Sequence, residues 1–275
     1  MSILVTPDAF APPEMAARAA RAGARKAELD ALSLFTLAVL AGAFIALGAQ
    51  LATVVGVDAR LGAGPARLLA GVAFSLGLVL VVVGGAELFT GNMLLVIARL
   101  TGEATTGAVL RNWGIVYAGN FAGAVATAAL MAASGQAALL EGGVGAAARA
   151  TADAKLALGF GEAVVRGVLG NGLVCLAVWL GFSARTTTDK VIAVVPPVAA
   201  FVAAGFEHSI ANMYFLPLAL FLDGTGTVTW ARIVVDNLVP VTLGNVLGGV
   251  VLVGAIYWLV YLRPGRPGAQ PEERR

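Results

Sequence analysis

The chain has 275 residues, 59% of them hydrophobic and only 12% charged, with a net charge of +2 and a mean hydropathy of +0.88. Water-soluble domains carry roughly a quarter charged residues, so most of this surface is built to face lipid. The lone cysteine, Cys175, excludes an intrachain disulfide and the lone histidine, His208, excludes a His/Cys metal cluster; charges scattered over tails and loops form no basic stripe for nucleic acid.

The first thirty residues hold Pro12, Pro13, Arg18, Arg21, Arg25 and Lys26 and no apolar run before Leu32. They lack the early hydrophobic core of a cleaved signal peptide, and residues 1–31 read as a cytoplasmic amphipathic helix. Arg18, Arg21 and Arg25 recur every three to four residues and share one helical face, which suits contact with anionic lipid. Six apolar segments follow, over about 32–55, 66–99, 112–134, 156–182, 191–222 and 237–262. They make residues 32–262 a six-span transmembrane domain, with 263–275 left as a cytoplasmic tail. The 35 glycines and abundant alanine fit close helix contacts of the kind membrane bundles use.

The second and fifth segments run past thirty residues, where roughly 20 suffice to cross a bilayer. Each also holds polar groups in its middle: Glu87 and Asn92 in one, Glu207, His208 and Asn212 in the other. A continuous helix would leave those groups at the bilayer centre, at a cost of about 2–3 kcal/mol or more per charge. Irregular backbone persists at that depth only inside protein or along a cavity, so both segments read as broken helices. The breaks match each other as G-x-E-x-x-x-x-N-M, Gly85 to Met93 and Gly205 to Met213. Downstream, Asn112, Gly119, Asn120 and Gly123 parallel Asn237, Gly244, Asn245 and Gly248. The chain is therefore two related halves of three spans each. An odd number of spans turns the second half upside down, and such inverted repeats place a permeation site between their interrupted helices.

Basic residues set the orientation. With the N-terminus inside, twelve lie on the cytoplasmic side, including Arg18, Arg99, Arg111, Arg185, Lys190, Arg263, Arg266, Arg274 and Arg275. Five lie opposite: Arg60, Arg67, Arg149, Lys155 and Arg232. Both termini are expected in the cytoplasm and the chain in the cell's inner membrane.

His208, in a lipid-embedded break, reads as a hydrogen-bonding and proton-exchanging group facing a pore, against the plainer role of bracing the loop. Glu87 and Glu207 are repeat mates. A pathway for anions has no use for two exposed carboxylates, so they are expected to turn away and accept hydrogen bonds from freed backbone amides beside Asn92 and Asn212. Thr90 offers a hydroxyl to an oxyanion or to His208, whereas its mate is Ile210. Lys155, at the start of the fourth span, is placed to draw anions in or to snorkel. Asn171 lies mid-span and needs a partner or a wet lumen. Glu162 and Arg166 have the spacing of a helical ion pair and could face a neighbouring subunit.

These stretches are similar to the formate/nitrite transporter family: Glu87-Leu-Phe-Thr-Gly-Asn92, Asn112-Trp-Gly, Gly205-Phe-Glu-His-Ser-Ile-Ala-Asn-Met213, Asn237-Leu-Val-Pro-Val-Thr-Leu-Gly-Asn245, Gly254-Ala-Ile-Tyr-Trp258 and Tyr261-Leu-Arg263. The resemblance spans about 30–262. It implies an all-α homopentamer with one pore per subunit, an aquaporin-like arrangement of six helices and no cofactor. The second span would be broken by an Ω-shaped loop around Glu87–Asn92 and the fifth by an S-shaped loop around Glu207–Asn212. His208 and Thr90 would be the central pore groups, with Lys155 and Asn171 near the outer entrance and path. Phe74, Phe201 and Val174 would form the outer constriction, and Leu78, Leu88 and Phe89 the inner one. The N-terminal helix would act as a pH-responsive gate.

The implied substrate is a small monovalent anion of a weak acid. Phe89-Thr90 and Asn112-Trp113-Gly114 look most like formate members, with nitrite and then hydrosulfide as alternatives. A bare carboxylate loses its hydration in an apolar constriction, whereas its neutral acid does not, so His208 is expected to exchange a proton or hydrogen bond with formate. A neutral-solute channel fits less well, because the breaks carry Asn92-Met93 and Asn212-Met213 in place of Asn-Pro-Ala boxes. An intramembrane enzyme lacks a nucleophile, metal site or cofactor motif.

Overall fold

The computed structural model describes residues 8–57, 62–222 and 226–264. Arg60, Arg266, Arg274, Arg275 and the tail beyond position 264 lie outside these residues. Ten helices make up the described chain: α1 (Pro12–Glu28), α2 (Ala31–Gly56), α3 (Ala63–Gly84), α4 (Leu95–Thr101), α5 (Thr106–Ala133), α6 (Gly143–Leu156), α7 (Phe160–Gly181), α8 (Thr187–Ala204), α9 (Ser209–Leu222) and α10 (Trp230–Tyr261). Six of them, α2, α3, α5, α7, α8 and α10, are long and apolar enough to cross a membrane, and α4 and α9 are shorter apolar helices. Only 22–50% of each spanning window is buried within the chain, so half or more of every span is left for lipid or another subunit to cover.

Local chemistry sets the ends. Asp30 Oδ1 accepts the Ser33 amide (2.9 Å) to start α2, and Thr105 Oγ1 accepts that of Ala108 (3.1 Å) to start α5. Helices α3 and α8 both stop at a glycine in the left-handed region, Gly85 at φ 81° and Gly205 at φ 73°. After each stop the chain runs irregularly, through 86–90 and 206–208, before α4 (by way of a 3₁₀ turn, Gly91–Leu94) and α9 resume. The second and fifth spans are broken helices. In α10, the wide π-type turns over Ile233–Leu238 come just before Pro240, whose ring would clash with the carbonyl four residues back in a regular helix.

The two halves superpose in kind. Helix α2 packs on α3 and α5 as α7 packs on α8 and α10; α1 lies on α4 as α6 lies on α9; α3 and α8 meet at the centre. Glycines let the long helices touch. A Cβ on Gly123 would sit 2.0 Å from Val39 O, and one on its mate Gly248 would sit 2.2 Å from Val168 O.

Several span boundaries differ from expectation. The fourth span begins at Phe160, and Lys155 ends the separate helix α6 instead of opening that span. The third and sixth spans begin earlier than their apolar windows, because Thr105 and Thr229 cap polar first turns that hydropathy does not register.

Candidate functional site

Each break releases backbone groups that need partners at membrane depth. The Glu87 amide donates to Leu37 O (3.2 Å) and the Phe89 amide to Asn120 Oδ1 (2.9 Å). Asn120 Nδ2 in turn donates to Ala38 O (2.7 Å) and Glu87 O (2.9 Å). The other half repeats the pattern: the Glu207 amide to Arg166 O (3.2 Å), the Ser209 amide to Asn245 Oδ1 (2.8 Å), and Asn245 Nδ2 to Gly167 O (2.8 Å) and Glu207 O (3.0 Å). One asparagine on α5 and one on α10 thus stitch each break to the neighbouring span.

This corrects the expectation for the glutamates, whose side chains do not take the freed amides. Glu87 pairs with Lys26 (2.9 Å) and accepts from Asn92 Nδ2 (2.7 Å), which also donates to Asn112 Oδ1 (2.9 Å). Glu207 pairs with Lys155 (2.8 Å) and accepts from Asn212 Nδ2 (2.6 Å), which also donates to Asn237 Oδ1 (2.7 Å). The loop closes in both halves, since Asn112 Nδ2 donates to Lys26 O (3.0 Å) and Asn237 Nδ2 to Lys155 O (3.2 Å). Asparagine side chains take the amides because they both donate and accept, which a carboxylate cannot do. Lys155 is therefore held by a carboxylate, with its ammonium also 5.5 Å from the Phe215 ring centroid, and is neither a free lure nor a snorkelling side chain.

The repeat is broken at the centre. His208, Thr90 and Asn171 are all buried, and their mates are Leu88, Ile210 and Gly42. His208 Nδ1 accepts the Ala211 amide (3.1 Å). An amide can only donate, so the ring is neutral and its proton sits on Nε2, which donates to Thr90 Oγ1 (2.8 Å). Thr90 keeps its own hydroxyl proton for another acceptor. Asn171 Nδ2 donates to Thr90 O (3.2 Å) and Asn245 O (2.6 Å), while its Oδ1 is buried without a partner. Asn171 lies beside Thr90 at the centre and borders neither cavity.

Two cavities approach this centre from opposite ends of α3, α7 and α8. The one beside α1, about 320 Å³, is bordered by Leu78, Leu88, Glu87 and Asn92 and by four cations, Arg18, Arg25, Lys26 and Lys190. The one beside α6, about 470 Å³, is bordered by Phe74, Phe201, His208, Glu207 and Asn212 and by Arg67, Lys155 and Arg166. Phe74 and Phe201 meet edge-to-face with ring centroids 5.5 Å apart, and Phe201 lies 5.9 Å from the His208 ring. Phe74 on one cavity and Leu78 on the other are one helical turn apart, roughly 6 Å. Val174 and Phe89 are buried but border neither cavity; Phe89 packs against Tyr117 with centroids 4.9 Å apart.

Several contributors were not visible in the sequence. Lys26 is the mate of Lys155 and pairs with Glu87 as Lys155 does with Glu207. Arg67 borders the cavity beside α6, which its charge alone does not reveal. The Glu162–Arg166 pair forms (2.5 Å), but Arg166 borders the cavity beside α6. A lone lysine just ahead of the first span of each half was the available signal for the first of these. On α1, burial and then the neighbouring Arg21 and Arg185 lower the pKa of Arg18 from its ordinary value.

The sequence profile of the formate/nitrite transporter family matches residues 13–259. A formate channel of Escherichia coli K12, FocA, is 42% identical over 93% of this chain and 96% of its own. A probable formate transporter of Methanothermobacter thermautotrophicus is 41% identical over 84% of this chain and 89% of its own. Among solved structures, a pentameric formate channel with formate bound superposes with a TM-score of 0.79 at 41% identity, covering 85% of this chain and 98% of its own. An FNT family ion channel gives 0.81 at 32% identity, covering 90% and 98%. With its inverted repeats, two broken spans and matching relatives, the chain belongs to the formate/nitrite transporter family, whose members carry ions across membranes and are not enzymes.

Proposed function

We propose that this chain conducts formate across the inner membrane as a homopentamer with one pathway per subunit and both termini in the cytoplasm. The observation that carries the reading is the pair of cation-rich cavities closing on one neutral His208–Thr90 pair. Four cations against Glu87 border the inner cavity, and three against Glu207 border the outer one. Such mouths concentrate anions and repel cations. The formate channels among the relatives, and the pentamer with formate bound, support both substrate and assembly.

Between the mouths the pathway narrows at Phe74, Phe201, Leu78 and Leu88, where a carboxylate would lose its water. His208 Nε2–H and the Thr90 hydroxyl supply two donors at that level, and Asn171 Nδ2 fixes Thr90 by its carbonyl. An anion at this point displaces the His208–Thr90 hydrogen bond and takes both protons in hydrogen bonds. With Nδ1 held by Ala211, the neutral ring gives a hydrogen bond and not a proton. Proton transfer to formate proceeds from the doubly protonated ring, which must first release the Ala211 amide. Acid pH favours that step, and the resulting formic acid crosses the apolar layer uncharged.

Formate uptake into proteoliposomes tests this. Uptake should rise as external pH falls in the wild type, and the rise should be lost in His208→Ala. Undiminished, equally pH-dependent uptake by the variant would remove His208 from the mechanism.

A further inference from the structure

Two of the three cations at the outer mouth are arginines, and both converge on the outer break. Arg166, on α7, donates from Nη1 to Gly205 O (3.4 Å) and pairs through Nη2 with Glu162. Arg67, in the first turns of α3, approaches the same turn from the other side, so that a Cβ on Gly205 would meet its Nη2 at 2.6 Å. Both border the outer cavity with Lys155 and His208. Among the described residues, Arg67 has no ion-pair or hydrogen-bond partner.

The inner half has no equivalent. The mate of Gly205 is Gly85, where a Cβ would meet nothing within 4 Å, and the mate of Arg166 is Leu37. The inner cavity draws most of its charge from α1 instead. The inner cavity has two arginines as well, Arg18 and Arg25, but both stand on α1; an arginine pair set against the break itself is a property of one mouth. It stands at the level of Gly205, on the solvent side of Phe201 and His208, where arriving solute is still hydrated. A guanidinium presents a planar fork of N–H groups that matches both oxygens of a carboxylate, which an ammonium does not. Arg166 is braced by Glu162 and Gly205 O, while the fork of Arg67 is open.

From this geometry we infer that Arg67 and Arg166 form an outer binding station for small carboxylates, which loads the pathway from the outside and gives it a lower KM for uptake than for release. The inference rests on the anion passage proposed above.

The test compares initial formate flux against concentration in right-side-out and inverted membrane vesicles at low ionic strength. Arg67→Gln with Arg166→Gln should raise the KM about tenfold in right-side-out vesicles, with the maximal rate rising alongside it so that flux at low concentration is kept, and leave inverted vesicles unchanged. Added salt should shrink the difference, because exposed charges are screened. Arg67→Lys should recover only part of the loss. An unaltered KM in right-side-out vesicles, or an equal rise in both orientations, would overturn the station while leaving the passage intact. Wild-type vesicles that pass no formate would sink both.

Discussion

At the scale of single residues, the site consists of a symmetric frame and an asymmetric centre. The frame residues Lys26, Glu87, Asn92 and Asn112 have mates in Lys155, Glu207, Asn212 and Asn237, and none of these side chains is free to be a solute ligand in both halves. Breaking a buried pair leaves an uncompensated charge. Lys155→Met should therefore destabilise the protein by roughly 3–5 kcal/mol, read as a drop in its unfolding midpoint in detergent. Lys155→Met with Glu207→Gln should recover most of that loss; no recovery would mean the pair is not the reason. At the centre, Thr90→Val removes one of two donors. Formate flux should fall roughly five- to a hundredfold, the rate equivalent of a hydrogen bond of about 1–3 kcal/mol. Sequence reading brought His208 and Thr90 together through the polar break and its mismatched repeat. It misassigned the glutamates, because pattern alone does not reveal which of several nearby polar groups has both a donor and an acceptor to spare. The two asparagines, Asn120 and Asn245, were visible as repeat mates but not as the partners of the breaks.

At the scale of elements, crossing distance and capping decide the bundle. Gly123 and Gly248 sit where a carbonyl of the neighbouring span leaves no room for a side chain. Gly123→Leu should prevent α2 and α5 from closing, and the variant should elute as aggregate while an exposed change such as Leu130→Ala elutes normally. A monodisperse Gly123→Leu protein would contradict the packing described. Helix α2 starts at Asp30, whose carboxyl is held below its usual pKa chiefly by the Ser33 amide. A depressed folded pKa means the cap stabilises above the unfolded carboxyl value, near 4, and is lost as pH falls through the folded one. Asp30→Ala should thus melt below wild type at neutral pH, with the gap narrowing in acid. Spans and breaks were legible because apolar length and intramembrane charge are strong signals. Helix α6 was not, since its alanine-rich run merges with the fourth span and its role as the mate of α1 depends on a single lysine.

The whole molecule brings these pieces together as a barrier with charged mouths. Its two ends differ: α1 supplies arginines to the cavity on its side, and Arg67 with Arg166 supply the one beside α6. The six spans leave much apolar surface uncovered by their own chain, including Ile192 at 65% and Val235 at 63% exposure, which lipid and sister subunits are proposed to cover. Cross-linking of the purified protein should then give a ladder ending at five subunits, and a ladder ending at two would contradict the pentamer.

The most direct measurement is solute flux into proteoliposomes holding the purified protein, with formate, nitrite and uncharged glycerol compared across pH for wild type and His208→Ala. The account predicts formate flux well above glycerol flux, increasing in acid and lost in the variant. Glycerol passing as readily as formate, or a variant indistinguishable from wild type, would contradict an anion pathway centred on His208.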